Sequence, residues 1–278
     1  MVKLATLRRE LATLREMVEA RSPALMETAP APAQWAESAA GIQLDDWQRH
    51  VLESDEKRLL LLCSRQTGKS EAVALAGAYR AIYQRGARVL VIAPTLRQSR
   101  NLFERISHAV HSTEPVPRII RRTSTHIQFA HGGSVRALPG DSPDGVRGLV
   151  ASHVVIDEAA FCRDEVLHVV LPMLSTTGGS LTMLSTPSGP SGLFYEAWRD
   201  EAGWTRIKVL AANCPRISEE FLRDARRKLG DLSFRQEFLC EFVQASSTFF
   251  SAELIRQAFD GVVGEPGYLD RKREPGYL

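Results

Sequence analysis

Residues 63–70 read Cys-Ser-Arg-Gln-Thr-Gly-Lys-Ser and place a glycine, a lysine and a hydroxyl in the order that phosphate binding requires. The spacing matches the phosphate-loop pattern G-x-x-x-x-G-K-[ST], except that Cys63 stands in the position of the first glycine. In such a loop the backbone N–H groups attract anions, Lys69 reaches the β- and γ-phosphates, and the Ser70 hydroxyl ligates Mg²⁺. The predicted phosphate-binding residues are Ser64, Arg65, Gln66, Thr67, Gly68, Lys69 and Ser70.

Two adjacent carboxylates form the second chemical motif. The apolar run at 152–157 ends with Asp157, and Glu158 follows it directly. At the carboxyl edge of a parallel sheet, both side chains would face the crevice where ligands bind. Asp157 is predicted to hold Mg²⁺ through its water shell, and Glu158 to polarise the water that attacks the γ-phosphate. Together with the phosphate loop, this pair predicts a nucleoside triphosphatase.

The elements that must position these residues follow from hydrophobic periodicity. Short apolar runs predict buried strands at 59–63, 88–94, 152–157 and 180–185, with a further strand at 204–210. Helices are predicted at 70–85, 96–111, 218–229 and 233–240, and a hairpin surrounds residues 131–133. Strands that alternate with helices predict an α/β fold, with a mostly parallel sheet covered by helices on both faces.

Composition sets the wider limits. With 278 residues and a net charge of +2, the chain has room for one large or two small domains and lacks a global basic field. No apolar run is long enough to span a bilayer, and the N-terminus has no secretory h-region. The four cysteines, Cys63, Cys162, Cys214 and Cys240, are too widely spaced for a zinc site or a disulfide framework. We therefore expect a soluble protein of a reducing cytosol.

Four regions are predicted along the chain. Residues 1–34 combine an amphipathic helix at 1–21, which either packs on the body or binds a partner, with an Ala/Pro-rich linker. Residues 35–212 form the core, and residues 213–260 form a small helical subdomain. Residues 261–278 repeat Glu-Pro-Gly-Tyr-Leu and are interpreted as a disordered tail.

The ordered set of motifs resembles the ATPase domain of the large terminase subunit, the DNA-packaging motor of tailed bacteriophages. The matching segments are 44–48, 64–70, 91–96, 138–139, 146–148, 155–159, 184–187 and 234–242. The resemblance runs from about residue 42 to residue 260. It implies a P-loop NTPase of the RecA-like (ASCE) type.

The resemblance also assigns roles to single residues. Gln48 matches the glutamine that reads the adenine edge, which a carboxamide can bond at two positions. Arg65 would contact the γ-phosphate or sense its loss. Arg147 matches an arginine finger, which a neighbouring subunit supplies in trans to the charge of the transition state. Ser185 and Thr186 would pass the state of the γ-phosphate to DNA-gripping parts.

The family's biology supplies the expected partners. The resemblance implies ATP- and Mg²⁺-dependent translocation of double-stranded DNA into a procapsid, by a homo-oligomeric ring that acts with a portal protein and a small terminase subunit in the host cytoplasm. In isolation a monomer is expected. Residues 97–136 carry five more positive than negative charges, a candidate DNA-binding patch. Only about 36 residues follow Phe242, too few for the ribonuclease-H-like nuclease of full-length terminases, so cleavage is not expected.

Two alternatives remain open. A helicase or remodeller shares these motifs but needs a second motor lobe, for which residues 243–278 are too short. A non-catalytic nucleotide-binding module of a defective prophage would account for Cys63 in place of glycine. The intact Lys69, Asp157 and Glu158 argue against that last interpretation.

Overall fold

The computed structural model describes residues 29–142, 145–200 and 202–244, so the predicted helix at 1–21 and the predicted tail at 261–278 lie outside the described residues. In the described part, the strands are β1 (Arg58–Cys63), β2 (Arg88–Ala93), β3 (Ile119–Arg122), β4 (His126–Phe129), β5 (Ser134–Pro139), β6 (His153–Asp157), β7 (Ser180–Ser185) and β8 (Thr205–Val209). The α-helices are α1 (Pro32–Ala40), α2 (Asp46–Glu53), α3 (Lys69–Tyr83), α4 (Leu96–His111), α5 (Glu165–Thr177), α6 (Leu193–Arg199) and α7 (Glu219–Leu239).

All eight described strands belong to one sheet, in the order β3-β4-β5-β2-β6-β7-β1-β8. The six strands from β5 to β8 in this order are parallel, and β4 runs antiparallel to both β5 and β3. The sheet is therefore mostly parallel, as predicted, with an antiparallel extension at one edge.

Strand β1 shows why the core needs helices on both faces. Leu59, Leu61 and Cys63 pack into one hydrophobic cluster with residues of α1 to α4. Leu60 and Leu62 pack into a second cluster on the opposite face, with residues of α5 and α6. A strand whose successive side chains point to opposite faces must be apolar throughout when both faces are covered.

Several elements differ from the sequence-based prediction. The predicted linker is wrong at its end, because α1 starts at Pro32 and buries Ala33 and Trp35. Proline is well tolerated in the first helical turn, since the N–H that it lacks has no partner there. Helices α5 and α6 and strand β3 were not predicted. By contrast, the two helices predicted at 218–229 and 233–240 are both present within α7, where the non-helical backbone of Gly230, with φ 75° and ψ 165°, separates them by a kink.

At the amino edge of the sheet, His153 is held as a neutral imidazole. Its Nδ1 lies 2.8 Å from Ser180 Oγ, and its Nε2 lies 2.7 Å from Gln84 Oε1. An amide oxygen can only accept, so Nε2 donates to Gln84 and Nδ1 accepts from Ser180. Burial lowers the pKa of His153 to about 4, and the charges of Arg80 and Lys57 act in the same direction.

The carboxyl edge of the sheet is where the predicted chemistry converges. Strands β6, β7 and β1 are neighbours, and they end at Asp157, Ser185 and Cys63. The pairings of Asp157 with Leu184 and of Leu62 with Ser185 bring the three ends level. Among the described helices, none is long and apolar enough to cross a membrane.

Candidate nucleotide-binding site

The phosphate loop joins β1 to the first turn of α3. Gln66 and Gly68 have left-handed φ values of 64° and 91°, and the Thr67 hydroxyl donates to the Ser64 carbonyl at 3.0 Å across the turn. A Cβ on Gly68 would lie 2.7 Å from Gln48 Nε2. Glycine is favoured at residue 68 by this left-handed backbone conformation, and a Cβ there would also displace the end of the Gln48 side chain. Cys63, by contrast, ends an extended strand and points into the core, where its side chain fits.

Lys69 and Glu158 form an ion pair at the centre of the site. Lys69 Nζ lies 3.1 Å from Glu158 Oε1, and the Ser185 hydroxyl donates to Glu158 Oε2 at 3.3 Å. Glu158 has a left-handed backbone, with φ 50° and ψ 45°, immediately after β6. A non-glycine residue in this conformation is held there by its surroundings and is most often found at functional positions.

Asp157 and Ser70 form the part of the site that suits a divalent cation. The Ser70 hydroxyl donates to Asp157 Oδ2 at 3.3 Å, and the Glu158 backbone N–H donates to Asp157 Oδ1 at 2.9 Å. Burial of Asp157 raises its pKa to about 6, and the negative charge of Glu158 adds to the shift while Lys69 opposes it. Mg²⁺ prefers oxygen ligands, and the Ser70 hydroxyl and the Asp157 carboxylate supply two of them. The buried carboxylate has too little positive charge around it to offset its burial, and a cation would supply that charge.

A cavity of about 650 Å³ opens over the loop. Its described walls include Lys69 and Glu158, together with four residues that the motifs did not reveal: Glu71 of α3, Gln98 and Arg105 of α4, and Phe161. Arg105 Nη1 donates to Glu71 Oε2 at 2.6 Å. The sequence grouped Arg105 with the DNA-binding patch, whereas the structure places it at this cavity.

The side chain of Arg65 extends from the loop toward α7. Its guanidinium forms an ion pair with Glu237 of α7, and its backbone N–H donates to the Glu237 carbonyl at 3.1 Å. The bond to Glu237 raises the pKa of Arg65. The γ-phosphate contact predicted for Arg65 stays a prediction, and the structure adds a partner that the sequence did not reveal.

Gln48 lies behind the loop and is 2% exposed. Its Oε1 accepts from the Asp45 N–H at 3.0 Å, and its Nε2 donates to the Gly68 carbonyl at 3.3 Å. Arg216 was not predicted from any motif. It donates to both carboxylate oxygens of Asp45, at 3.0 and 2.6 Å, and to the Thr67 carbonyl at 3.1 Å. The adenine contact of Gln48 stays a prediction.

Thr186 and Arg147 are the remaining predicted site residues. Thr186 is buried directly after Ser185 at the end of β7. Arg147 is exposed in the turn at 145–148 between β5 and β6, and it is not among the described residues that line the cavity. The coupling role of Thr186 and the arginine-finger role of Arg147 remain predictions.

Solved structures similar to this chain share its fold. The ATPase domain of the large terminase of Thermus phage P74-26 superposes with a TM-score of 0.68 at 24% identity, over 77% of this chain and 100% of that chain. The large terminase of another thermophilic bacteriophage, solved in complex with ADP, superposes with a TM-score of 0.60 at 15% identity, over 72% of this chain and 54% of that one. The predicted α/β fold of the RecA-like type is thus confirmed.

Comparison of the amino-acid sequence with curated proteins also finds large terminase subunits. The large terminase subunit of Thermus phage G20c is 26% identical over 244 residues, which cover 73% of this chain and 50% of that protein. The large terminase subunit of Escherichia phage T5 is 24% identical over 201 residues, covering 69% and 46%. The chain therefore spans about half the length of the curated relatives it matches. A family model described as "Terminase large subunit, T4likevirus-type, N-terminal" matches residues 60–257, and the chain belongs to this family and covers its N-terminal ATPase region.

Proposed function

We propose that this chain hydrolyses ATP to drive double-stranded viral DNA into a procapsid, in the cytoplasm of a bacterial host. The observation that carries the proposal is the group of Lys69, Ser70 and Glu158 at one cavity. The buried Ser185 bonds to Glu158, and the buried Asp157 bonds to Ser70. This is the set of groups that phosphoryl transfer to water requires. Family membership links the hydrolysis to DNA packaging.

In the proposed reaction, the loop N–H groups and Lys69 bind the β- and γ-phosphates. When Lys69 turns to the triphosphate, it releases Glu158 Oε1. That carboxylate then takes a proton from a water molecule, whose oxygen attacks the γ-phosphorus. The bond from the γ-phosphorus to its bridging oxygen breaks, which yields ADP and inorganic phosphate. The Ser185 hydroxyl, still bonded to Oε2, keeps the base oriented.

Ser70 and Asp157 would hold Mg²⁺. When bound, the ion neutralises charge on the β- and γ-phosphate oxygens. The raised pKa of Asp157 supports this assignment, since a carboxylate buried beside a second carboxylate is stabilised by a cation. Ser70 and Asp157 themselves orient one another through their hydrogen bond.

Arg147 would complete the site of a neighbouring subunit in a ring. Its exposed position on the loop between β5 and β6 supports a role on another molecule. A planar guanidinium suits the charge spread over the transferred phosphoryl group. A monomer would therefore turn over slowly, and turnover would rise as subunits assemble on a portal protein with the small terminase subunit.

A second cavity, of about 450 Å³, supports the DNA-binding part of the proposal. Its lining includes Arg88, His126 and Arg136, from strands β2, β4 and β5. On β4 and β5 the alternate residues, such as Ile127 and Val135, are buried, so this cationic face points away from the α3–α4 side of the core. The guanidinium groups of Arg88 and Arg136 would bind phosphates without sequence preference.

A subunit-mixing assay tests the motor. We would measure steady-state ATPase rates against protein concentration for wild type, Glu158→Ala, Arg147→Ala and an equal mixture of the two variants. Activity that returns in the mixture shows that base and arginine act across subunits. A wild-type rate independent of concentration, together with a fully active Arg147→Ala, would refute the ring mechanism.

DNA binding has its own test. Arg88→Ala and Arg136→Ala should each weaken binding to double-stranded DNA of any sequence and reduce the salt dependence, by about one unit of slope each. Arg223→Ala on the exposed side of α7 serves as the matched control. Equal losses in all three variants would place the DNA elsewhere.

A further inference from the structure

Two successive carbonyls of the phosphate loop are held by side chains from distant parts of the chain. The Thr67 carbonyl accepts from Arg216 Nη2 at 3.1 Å, and the Gly68 carbonyl accepts from Gln48 Nε2 at 3.3 Å. Asp45 connects the two donors: its carboxylate binds the Arg216 guanidinium through two bonds, and its backbone N–H donates to Gln48. We call Asp45, Gln48 and Arg216 the bracket.

The geometry of the peptide group gives the bracket a consequence for phosphate binding. In a planar trans peptide, the carbonyl oxygen and the N–H of the same group point in opposite directions. The Thr67 carbonyl shares its peptide plane with the Gly68 N–H, and the Gly68 carbonyl shares its plane with the Lys69 N–H. A donor that fixes each carbonyl therefore also fixes the direction of the N–H on the other side.

The bracket lies on the outer side of the loop. Gly68 and Lys69 line the nucleotide cavity, whereas no residue of the bracket is among the described residues that line it. Pulling the two carbonyls outward presents the two N–H groups to the cavity, where a phosphate would accept from them.

Of the two donors, Arg216 contributes more than Gln48 to the orientation of the loop. The Gly68 carbonyl also accepts the first bond of α3, from the Ala72 N–H at 3.1 Å, so the helix itself orients that peptide group. The Thr67 carbonyl precedes the helix and relies on the guanidinium. Only arginine has a planar fork that can bind a carboxylate at two points and still donate to a third acceptor.

We propose that Arg216 is a positioning residue for nucleotide binding, which through the bracket orients the Gly68 and Lys69 N–H groups toward the phosphates. The inference rests on the proposed function, since it concerns the same site. It assigns Arg216 to the phosphates and not to the base, which separates it from any contact that Gln48 makes with adenine.

Calorimetric titration with ADP and with inorganic tripolyphosphate, which has no base, tests the inference. Arg216→Ala should weaken both ligands by the same factor, roughly tenfold, since a hydrogen bond from a charged donor is lost. Arg216→Lys should not restore binding, because an ammonium cannot reproduce the fork. Asp45→Asn, which keeps a good N-cap for α2, should weaken both ligands as well. Arg223→Ala is the control for the loss of an exposed arginine.

The amide ¹⁵N and ¹H shifts of Gly68 and Lys69 give a second measurement. In the wild type, tripolyphosphate should move both signals, and in Arg216→Ala the free protein should already show them displaced. Unchanged affinity for both ligands in Arg216→Ala and Asp45→Asn would overturn the inference alone. Loss of ADP binding with intact tripolyphosphate binding would also overturn it, in favour of a role at the base. A wild-type chain that binds neither ligand would instead refute the proposed function.

Discussion

Replacing Ser64 by alanine should destabilise the whole domain, although the change removes one atom. Ser64 is 0% exposed, and its hydroxyl connects the phosphate loop to two segments that are distant from it in sequence. It donates to the Phe238 carbonyl at 2.8 Å and accepts from the Ala211 N–H at 3.0 Å. Both partners are buried, so water cannot replace the lost hydroxyl.

The size of the effect follows from these two bonds. A buried donor or acceptor left without a partner costs about 1–3 kcal/mol, and two such groups with some relaxation suggest a loss of about 3 kcal/mol. For a domain of this size, 1 kcal/mol corresponds to about 2–4 °C, so Tm should fall by roughly 6–12 °C. Ser70→Ala, the same substitution six residues along, should cost less than about 1 kcal/mol, since Asp157 keeps its bond to the Glu158 N–H.

Urea unfolding followed by far-UV circular dichroism, together with a thermal scan, measures both variants against wild type. The same preparations should separate stability from activity: Ser70→Ala should lose ATPase activity at least about 100-fold while staying folded. A Tm for Ser64→Ala within about 2 °C of wild type would show that the two buried groups find other partners. The reasoning about this hydroxyl would then be wrong.

Three further outcomes are expected. Glu158→Gln should lower the kcat of ATP hydrolysis by about 100- to 10,000-fold while ADP still binds. A decrease in kcat of less than about tenfold, measured from phosphate release, would argue against Glu158 as a general base. Gly68→Ala should weaken ADP binding in a titration, because its Cβ, at φ 91°, would displace the end of the Gln48 side chain from the loop; Gly86→Ala, with φ 67° and open space, should cost about 1–2 kcal/mol of stability and leave ADP binding unchanged, and equal ADP affinities of the two variants would contradict this reasoning. His153 is neutral when folded at a pKa near 4 but protonates near 6.5 when unfolded, so stability is lost as pH falls through this window. Between pH 7 and pH 5 this loss is about 2 kcal/mol, and it should be absent in His153→Gln; an unchanged pH dependence in urea titrations would refute this reasoning.

Local pattern was enough to predict the parts of the site that lie along single elements. The apolar run from Leu59 to Leu62 predicted a strand covered on both faces, and Gly68 to Ser70 follow it after a short turn. Asp157 and Glu158 at the end of another such run were placed beside the loop by the general rule for parallel sheets. The α/β fold and the two adjacent carboxylates of the candidate site therefore followed from residues that are neighbours in sequence.

The parts of the site that the sequence did not predict depend on contacts between segments that are distant in sequence. Arg216 binds Asp45, and Glu237 binds Arg65, across more than half of the chain in each case. Arg216 lies outside every segment that matches the family. Glu237 falls within the family-matching segment 234–242, but nothing in that segment indicates that its partner is Arg65. The first residues of α1 were mistaken for linker because alanine and proline dominate them, and the packing of Trp35 against Tyr79 and Tyr83 shows that the helix belongs to the core.

The position of β1 in the sheet also affects the order in which the protein folds during synthesis. The strand lies between β7 and β8, pairing Arg58 with Leu181 and Leu59 with Thr205, so a ribosome finishes it long before either neighbour exists. Pairings this remote in sequence slow folding, and in the meantime an unpaired apolar strand can associate with other chains. A nascent chain that stops before Ser180 would contain the complete phosphate-loop motif without the strands that shape it, and nucleotide binding would be among the last properties that the growing protein acquires.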